Sequence, residues 1–179
     1  MRLFVAAELP EELLDALAET SAALRDTVRG RYVAPDSLHV TLAFLGEVEG
    51  ARLPEAEDAL VRACDGHEAF EVTLGELGSF GRPRSATLWQ AINGGEALPS
   101  LAADVRTALD DAGFSYDAKP FRAHITLMRA AMLSDAVLPM PFMARGIMDT
   151  VTLFKSDLSG PRPVYTPLAR VSLPLATVL

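Results

Sequence analysis

A chain of 179 residues, half of them hydrophobic, has ample material for one buried core, and its scarcity of polar low-complexity sequence excludes long disordered segments. A formal net charge of −8 excludes a broad basic face for duplex nucleic acid, since that affinity comes from Lys and Arg neutralising phosphates, but it leaves room for a small, locally positive pocket. The lone Cys64 cannot close an intramolecular disulfide, and with only His39, His67 and His124 beside it no structural zinc site is expected.

Leu3 to Ala7 is a short apolar run that reads as a buried strand. Pro10, Glu11 and Glu12 then suit a helix N-terminus, and Leu13, Leu14, Leu17, Leu24 and Val28 recur at helical spacing up to Gly30. The same Pro10–Glu12 cluster interrupts the N-terminal apolar run too early for a signal peptide, and no run approaches the roughly 20 apolar residues of a membrane span, so a soluble, cytoplasmic protein is expected. Leu38 to Leu45, LHVTLAFL, is β-branched and apolar and ends at Gly46. A second helix opens at Pro54, carries Leu53, Leu60, Val61 and Cys64, and stops near Gly66; Cys64 there reads as an inert core thiol.

Phe70, Val72 and Leu74 alternate with polar residues as in a strand, while Gly75, Gly78 and Gly81 read as turn glycines. Ala86 to Ile92 predicts another strand, and Leu98, Leu101, Val105 and Leu109 a third helix stopped by Gly113. Phe121 to Met128, Ile147 to Phe154 and Ala169 to Leu173 are each strand-like. The order of elements predicts an α+β chain with largely antiparallel sheets.

One internal repeat stands out. His39–Val40–Thr41–Leu42 returns as His124–Ile125–Thr126–Leu127, 85 positions later and close to half the chain length. Each copy lies in a strand-like segment, which predicts two similar lobes, each presenting one copy. Residues i and i+2 of a strand share a face, so His39 projects with Thr41, and His124 with Thr126. Facing strands of this kind would bring two imidazoles and two hydroxyls together in one cleft. Imidazole exchanges protons near neutral pH, and a pair can divide the work of accepting one proton and donating another. Threonine hydroxyls can hold non-bridging phosphate oxygens without adding charge.

A single histidine on a strand is more commonly a structural residue, and threonine is an ordinary strand residue. The weight comes from the duplication, which uses two of the three histidines in one local context. His67, in a polar turn without a partner motif, reads as solvated surface. Arg129, just past the second motif, and Arg122, two residues before His124, are candidate phosphate ligands through their planar fork of donors. No phosphate-binding loop and no dinucleotide fingerprint competes with this reading.

The chain also resembles a known family, the two-histidine phosphoesterases, and within them the bacterial RNA 2′,3′-cyclic phosphodiesterases, also called 2′-5′ RNA ligases. The likeness runs through MRLFVAAELPEE, SLHVTLAFLGEV, FEVTLGELGSFGRPRSATLW, KPFRAHITLMR and LFKSDLSGPRPVYTPL. It implies a single bilobal domain over residues 1–179 with pseudo-twofold symmetry, two sheets facing a central cleft and helices outside. It implies hydrolysis of terminal 2′,3′-cyclic phosphates to 2′-phosphates, without metal or other cofactor, with reversible 2′-5′ ligation in some members. By the resemblance His39 is the proton donor and His124 the acceptor, with Thr41, Thr126 and Arg129 toward the substrate. The implied partners are RNA 3′ ends or oligonucleotides carrying the cyclic phosphate, bound by a monomer. Tyr32 stands where Trp is common, Ala34 where a basic residue is common, and Ala123 where Pro is common; the first two bear on nucleotide contacts. The same chemistry on a small cyclic nucleotide, or a binding module without turnover, are the alternatives.

Overall fold

The computed structural model describes residues 1–177. In chain order the elements are β1 (Arg2–Ala7), α1 (Glu11–Arg25), β2 (Arg29–Tyr32), β3 (Val40–Glu47), α2 (Leu53–Cys64), β4 (Phe70–Arg82) and β5 (Ser85–Asn93). They continue as α3 (Ala97–Asp111), β6 (His124–Met132), β7 (Arg145–Met148), β8 (Thr150–Asp157) and β9 (Val164–Ser172). Each helix buries one stripe, such as Leu13, Ala16, Leu17, Thr20 and Leu24 in α1. In α1, Glu11 and Glu12 stand at the positive end of the helix dipole and Arg25 at the negative end. After α3 the chain reverses through Gly113 at φ +71°, a left-handed conformation that glycine adopts without a Cβ clash.

The strands form two sheets, ordered β3-β1-β8-β9 and β2-β6-β5-β4-β7, and every pairing among them is antiparallel. Four strands of one sheet match four of the other in order, β3 with β6, β1 with β5, β8 with β4 and β9 with β7. β2 has no counterpart and lies outside the symmetric set, against β6. Helices α2 and α3 pack on each other and on the first sheet, and α1 packs near β7 of the second. Leu42 and Leu127, next to the motif threonines, are fully buried, so the apolar half of each motif anchors its strand in the core.

The symmetry extends to irregularities. In β3 the register against β1 slips between Thr41 and Ala43 and again between Phe44 and Gly46. In β6 the register against β5 slips between Thr126 and Met128 and again between Met128 and Ala131. A bulge places an extra residue in one strand and re-aims the side chains beyond it. Thr41 and Phe44, and likewise Thr126 and Arg129, therefore reach the same cavity although each pair is three residues apart. Ala130, at φ +50°, is the one non-glycine residue with positive φ among the described residues, and it marks the second bulge of β6.

Several expectations need correction. Gly75 and Gly78 lie inside β4 and serve no turn; a Cβ on Gly78 would overlap the Trp89 ring of β5, so the glycine marks a close approach. The apolar stretch 147–154 is two strands in different sheets, broken at Asp149. His39 immediately precedes β3, and residues 121–123 precede β6. Strand β2 carries no signal in the sequence, because RGRY has no apolar alternation.

Candidate active site

A cavity of about 890 Å³ opens between the two motif strands. The first lobe supplies His39, Thr41 and Phe44, and the second supplies His124, Thr126 and Arg129. Phe44 and Arg129 occupy equivalent places in the repeat, 85 positions apart, so the duplicated framework carries an aromatic face in one lobe and a cation in the other.

The two imidazoles are held alike. His39 Nδ1 lies 2.8 Å from the carbonyl oxygen of Ser37, and His124 Nδ1 lies 2.6 Å from that of Arg122. A carbonyl only accepts, so each Nδ1 carries a proton and each Nε2 is left for other partners. The repeat therefore fixes tautomer as well as position. The lobes differ at Nε2. His39 Nε2 lies 2.9 Å from Thr41 Oγ1, and in the neutral ring it accepts the hydroxyl proton. Neither His124 Nε2 nor the Thr126 hydroxyl has a hydrogen-bond partner among the described residues.

Aromatic packing sets the ring planes. Phe4 lies 5.0 Å from the His39 ring and Tyr165 meets it edge-on at 5.5 Å. Phe80 meets His124 edge-on at 5.1 Å, with Trp89 at 6.0 Å. Burial lowers the His39 pKa from 6.5 to about 4, the Arg129 guanidinium and the nearby His124 ring act in the same direction, and the Ser37 hydrogen bond only partly offsets them. His39 is therefore neutral at pH 7 in the free protein.

Of the residues singled out in the sequence, His39, Thr41, His124, Thr126 and Arg129 all line the one cavity. Arg122 does not: it is exposed, with its guanidinium 5.5 Å from the centre of the Phe80 ring. His67 is not solvated surface. Its Nε2 lies 2.7 Å from Asp104 Oδ2 of α3, and the imidazole is mostly covered, which makes it a structural tie. Cys64 is buried, and desolvation pushes its thiol up to about 11, as an inert core thiol requires. Among the described residues no group of three or more His, Cys, Asp or Glu side chains is placed to hold a metal ion.

Tyr32 and Ala34, singled out for nucleotide contacts, also line the cavity, and the sequence reading missed further lining residues, including Arg31, Arg162 and Tyr165. Phe44 could have been found by carrying the 85-residue offset back from Arg129. No such signal exists for Arg31, because β2 lies outside the repeat.

Two imidazoles of fixed tautomer, presented by matching strands of two lobes over a shared cavity with hydroxyl and guanidinium donors, form a candidate site suited to paired acid/base chemistry at a phosphate. The chain belongs to the 2′-5′ RNA ligase superfamily, whose family model matches residues 13–140. It is 33% identical over 173 residues to the RNA 2′,3′-cyclic phosphodiesterase of Escherichia coli K12, covering 96% of each chain. The crystal structure of a Thermus thermophilus protein superimposes with a TM-score of 0.85 at 32% identity, covering 99% of this chain and 100% of that one. The structure of Escherichia coli LigT complexed with 3′-AMP gives 0.78 at 32% identity, covering 96% of this chain and 97% of that one.

Proposed function

We propose that this protein is an RNA 2′,3′-cyclic phosphodiesterase whose acid/base pair is His39 and His124. Water attacks phosphorus and gives a proton to Nε2 of His124, while His39 gives one to the departing 3′-oxygen. The P–O3′ bond breaks, the P–O2′ bond stays, and the product is a 2′-phosphate. The observation that carries this reading is the matched pair of Nδ1–carbonyl bonds, which leaves Nε2 of each ring, that of His39 shared with the Thr41 hydroxyl, as the proton-exchanging atom at one cavity lined from two lobes.

The assignment of acid and base follows the asymmetry at Nε2. His124 has a lone pair free of protein partners among the described residues, as a base needs. His39 is deprotonated at pH 7 in the free protein, and an anionic phosphate beside it counters the charge of Arg129 and favours its protonated form. Thr41, then released from His39, joins Thr126 and Arg129 in holding the non-bridging oxygens as charge develops. A 5′-hydroxyl in the place of water would give a 2′-5′ linkage by the same displacement. Both motifs come from one chain, so the site is complete in a monomer, and RNA 3′ ends are the substrates. Replacing either histidine by Ala should lower turnover of a 2′,3′-cyclic phosphate by about 10²- to 10⁴-fold with folding intact by circular dichroism. Near-normal turnover in either variant overturns the mechanism.

A further inference from the structure

The chain carries an excess of acidic residues, 24 against 16 basic, yet no Asp or Glu lines the cavity, while five arginines do: Arg2, Arg25, Arg31, Arg129 and Arg162. None of the five makes a salt bridge among the described residues. A 2′,3′-cyclic phosphate carries a single negative charge, so this much unneutralised cation exceeds what the reacting group requires.

The arrangement of two of them is specific. Arg31 of β2 stands directly opposite Arg129 of β6 in the antiparallel register, and both line the cavity. Like charges directly opposite across a strand pair repel and destabilise the sheet. The repulsion becomes attraction when an anion sits between the two guanidinium forks. Arg129 is the arginine whose charge acts on His39, and Arg31 lies on the strand beside the one that carries His124, outside the symmetric set. An oligonucleotide end offers two anionic groups in succession, one for the histidines and one for the facing arginines.

We propose that Arg31, facing Arg129, forms a subsite for the internucleotide phosphate next to the reacting one, so that the enzyme selects the ends of oligonucleotides over cyclic mononucleotides. The proposal rests on the phosphodiesterase reading and names its substrate class. Arg31 binds and does no chemistry.

The test compares binding of 2′-AMP with that of the dinucleotide product ApA bearing a terminal 2′-phosphate, in the intact protein and in Arg31→Gln. The intact protein should bind the dinucleotide about 10- to 100-fold more tightly, the usual range for a charge-assisted contact, and Arg31→Gln should collapse that ratio towards one. The log–log salt dependence of dinucleotide binding should become shallower by about 0.7, one phosphate contact on a single strand. The melting temperature of the free variant should be unchanged or higher, because a repulsive pair has gone; a structural role for Arg31 would lower it. An unchanged ratio, or equal loss for both ligands, overturns the subsite. Turnover separates the two readings. A protein that hydrolyses cyclic ends but shows no Arg31-dependent preference refutes the subsite alone, whereas Arg31-dependent dinucleotide binding without any turnover refutes the phosphodiesterase reading and leaves the subsite standing.

Discussion

The proton-donor role proposed for His39 requires it to hold a proton at the moment of transfer, yet burial with Arg129 and His124 nearby brings it down to about 4 in the free protein. The two facts are compatible if the substrate anion supplies the missing charge. Titration followed by NMR of the His39 ring should show a pKa well below 6.5 in the free protein and a clear rise on binding a 2′-nucleotide; a pKa that does not move would remove His39 from the acid role. The same depression has a sign for stability. Between pH 6.5 and about 4 the unfolded chain binds a proton at this position and the folded one does not, so stability falls as the solution is acidified through that window. The loss is at most about 3 kcal/mol, less because the ring is only partly covered, and His39→Gln should flatten that part of the pH–stability curve.

At the scale of elements, the bulges decide which side chains reach the chemistry. A regular β6 would turn Met128 towards the cavity; with the extra residue Met128 is fully buried and Arg129 faces the site. The motif histidines and threonines were legible in the sequence because a tetrapeptide repeated and strand alternation did the rest. The inward aim of Arg129 was not, since a bulge leaves no periodic trace. The three helices were legible from their apolar spacing, whereas the break at Asp149 hides in a continuous β-branched and apolar stretch. Gly75 and Gly78 misled for a related reason, because glycine marks a close approach inside a strand as readily as a turn. Gly78 lies against Trp89, which packs beside His124. Gly78→Ala should therefore force the indole to move, destabilise the fold by about 1–3 kcal/mol and lower turnover, measured by denaturant unfolding and initial rates. Gly66→Ala, where φ is +80° but no atom lies within 4 Å of the added Cβ, should cost stability without that loss of turnover.

Across the whole molecule, two matching sets of four strands carry one motif each, and in-line displacement at phosphorus calls for an acid and a base on opposite sides of the reacting atom. A duplicated framework is suited to that geometry, while β2 and the β8–β9 loop, which add Arg31 and Arg162 to the cavity lining, break the symmetry. In the proposed mechanism both proton transfers fall to imidazoles and the developing charge to hydroxyl and guanidinium donors. Dialysis against a strong chelator should accordingly leave the rate unchanged; a rate restored only by a divalent ion would reassign the chemistry to a metal. Among the described residues no helix is long and apolar enough to cross a membrane. The most direct test of the central claim is phosphorus NMR of the product formed from an RNA 2′,3′-cyclic phosphate. A 2′-phosphate as the main product is expected if His124 activates water and His39 protonates the 3′-oxygen, and a 3′-phosphate would contradict that orientation even with both histidines essential.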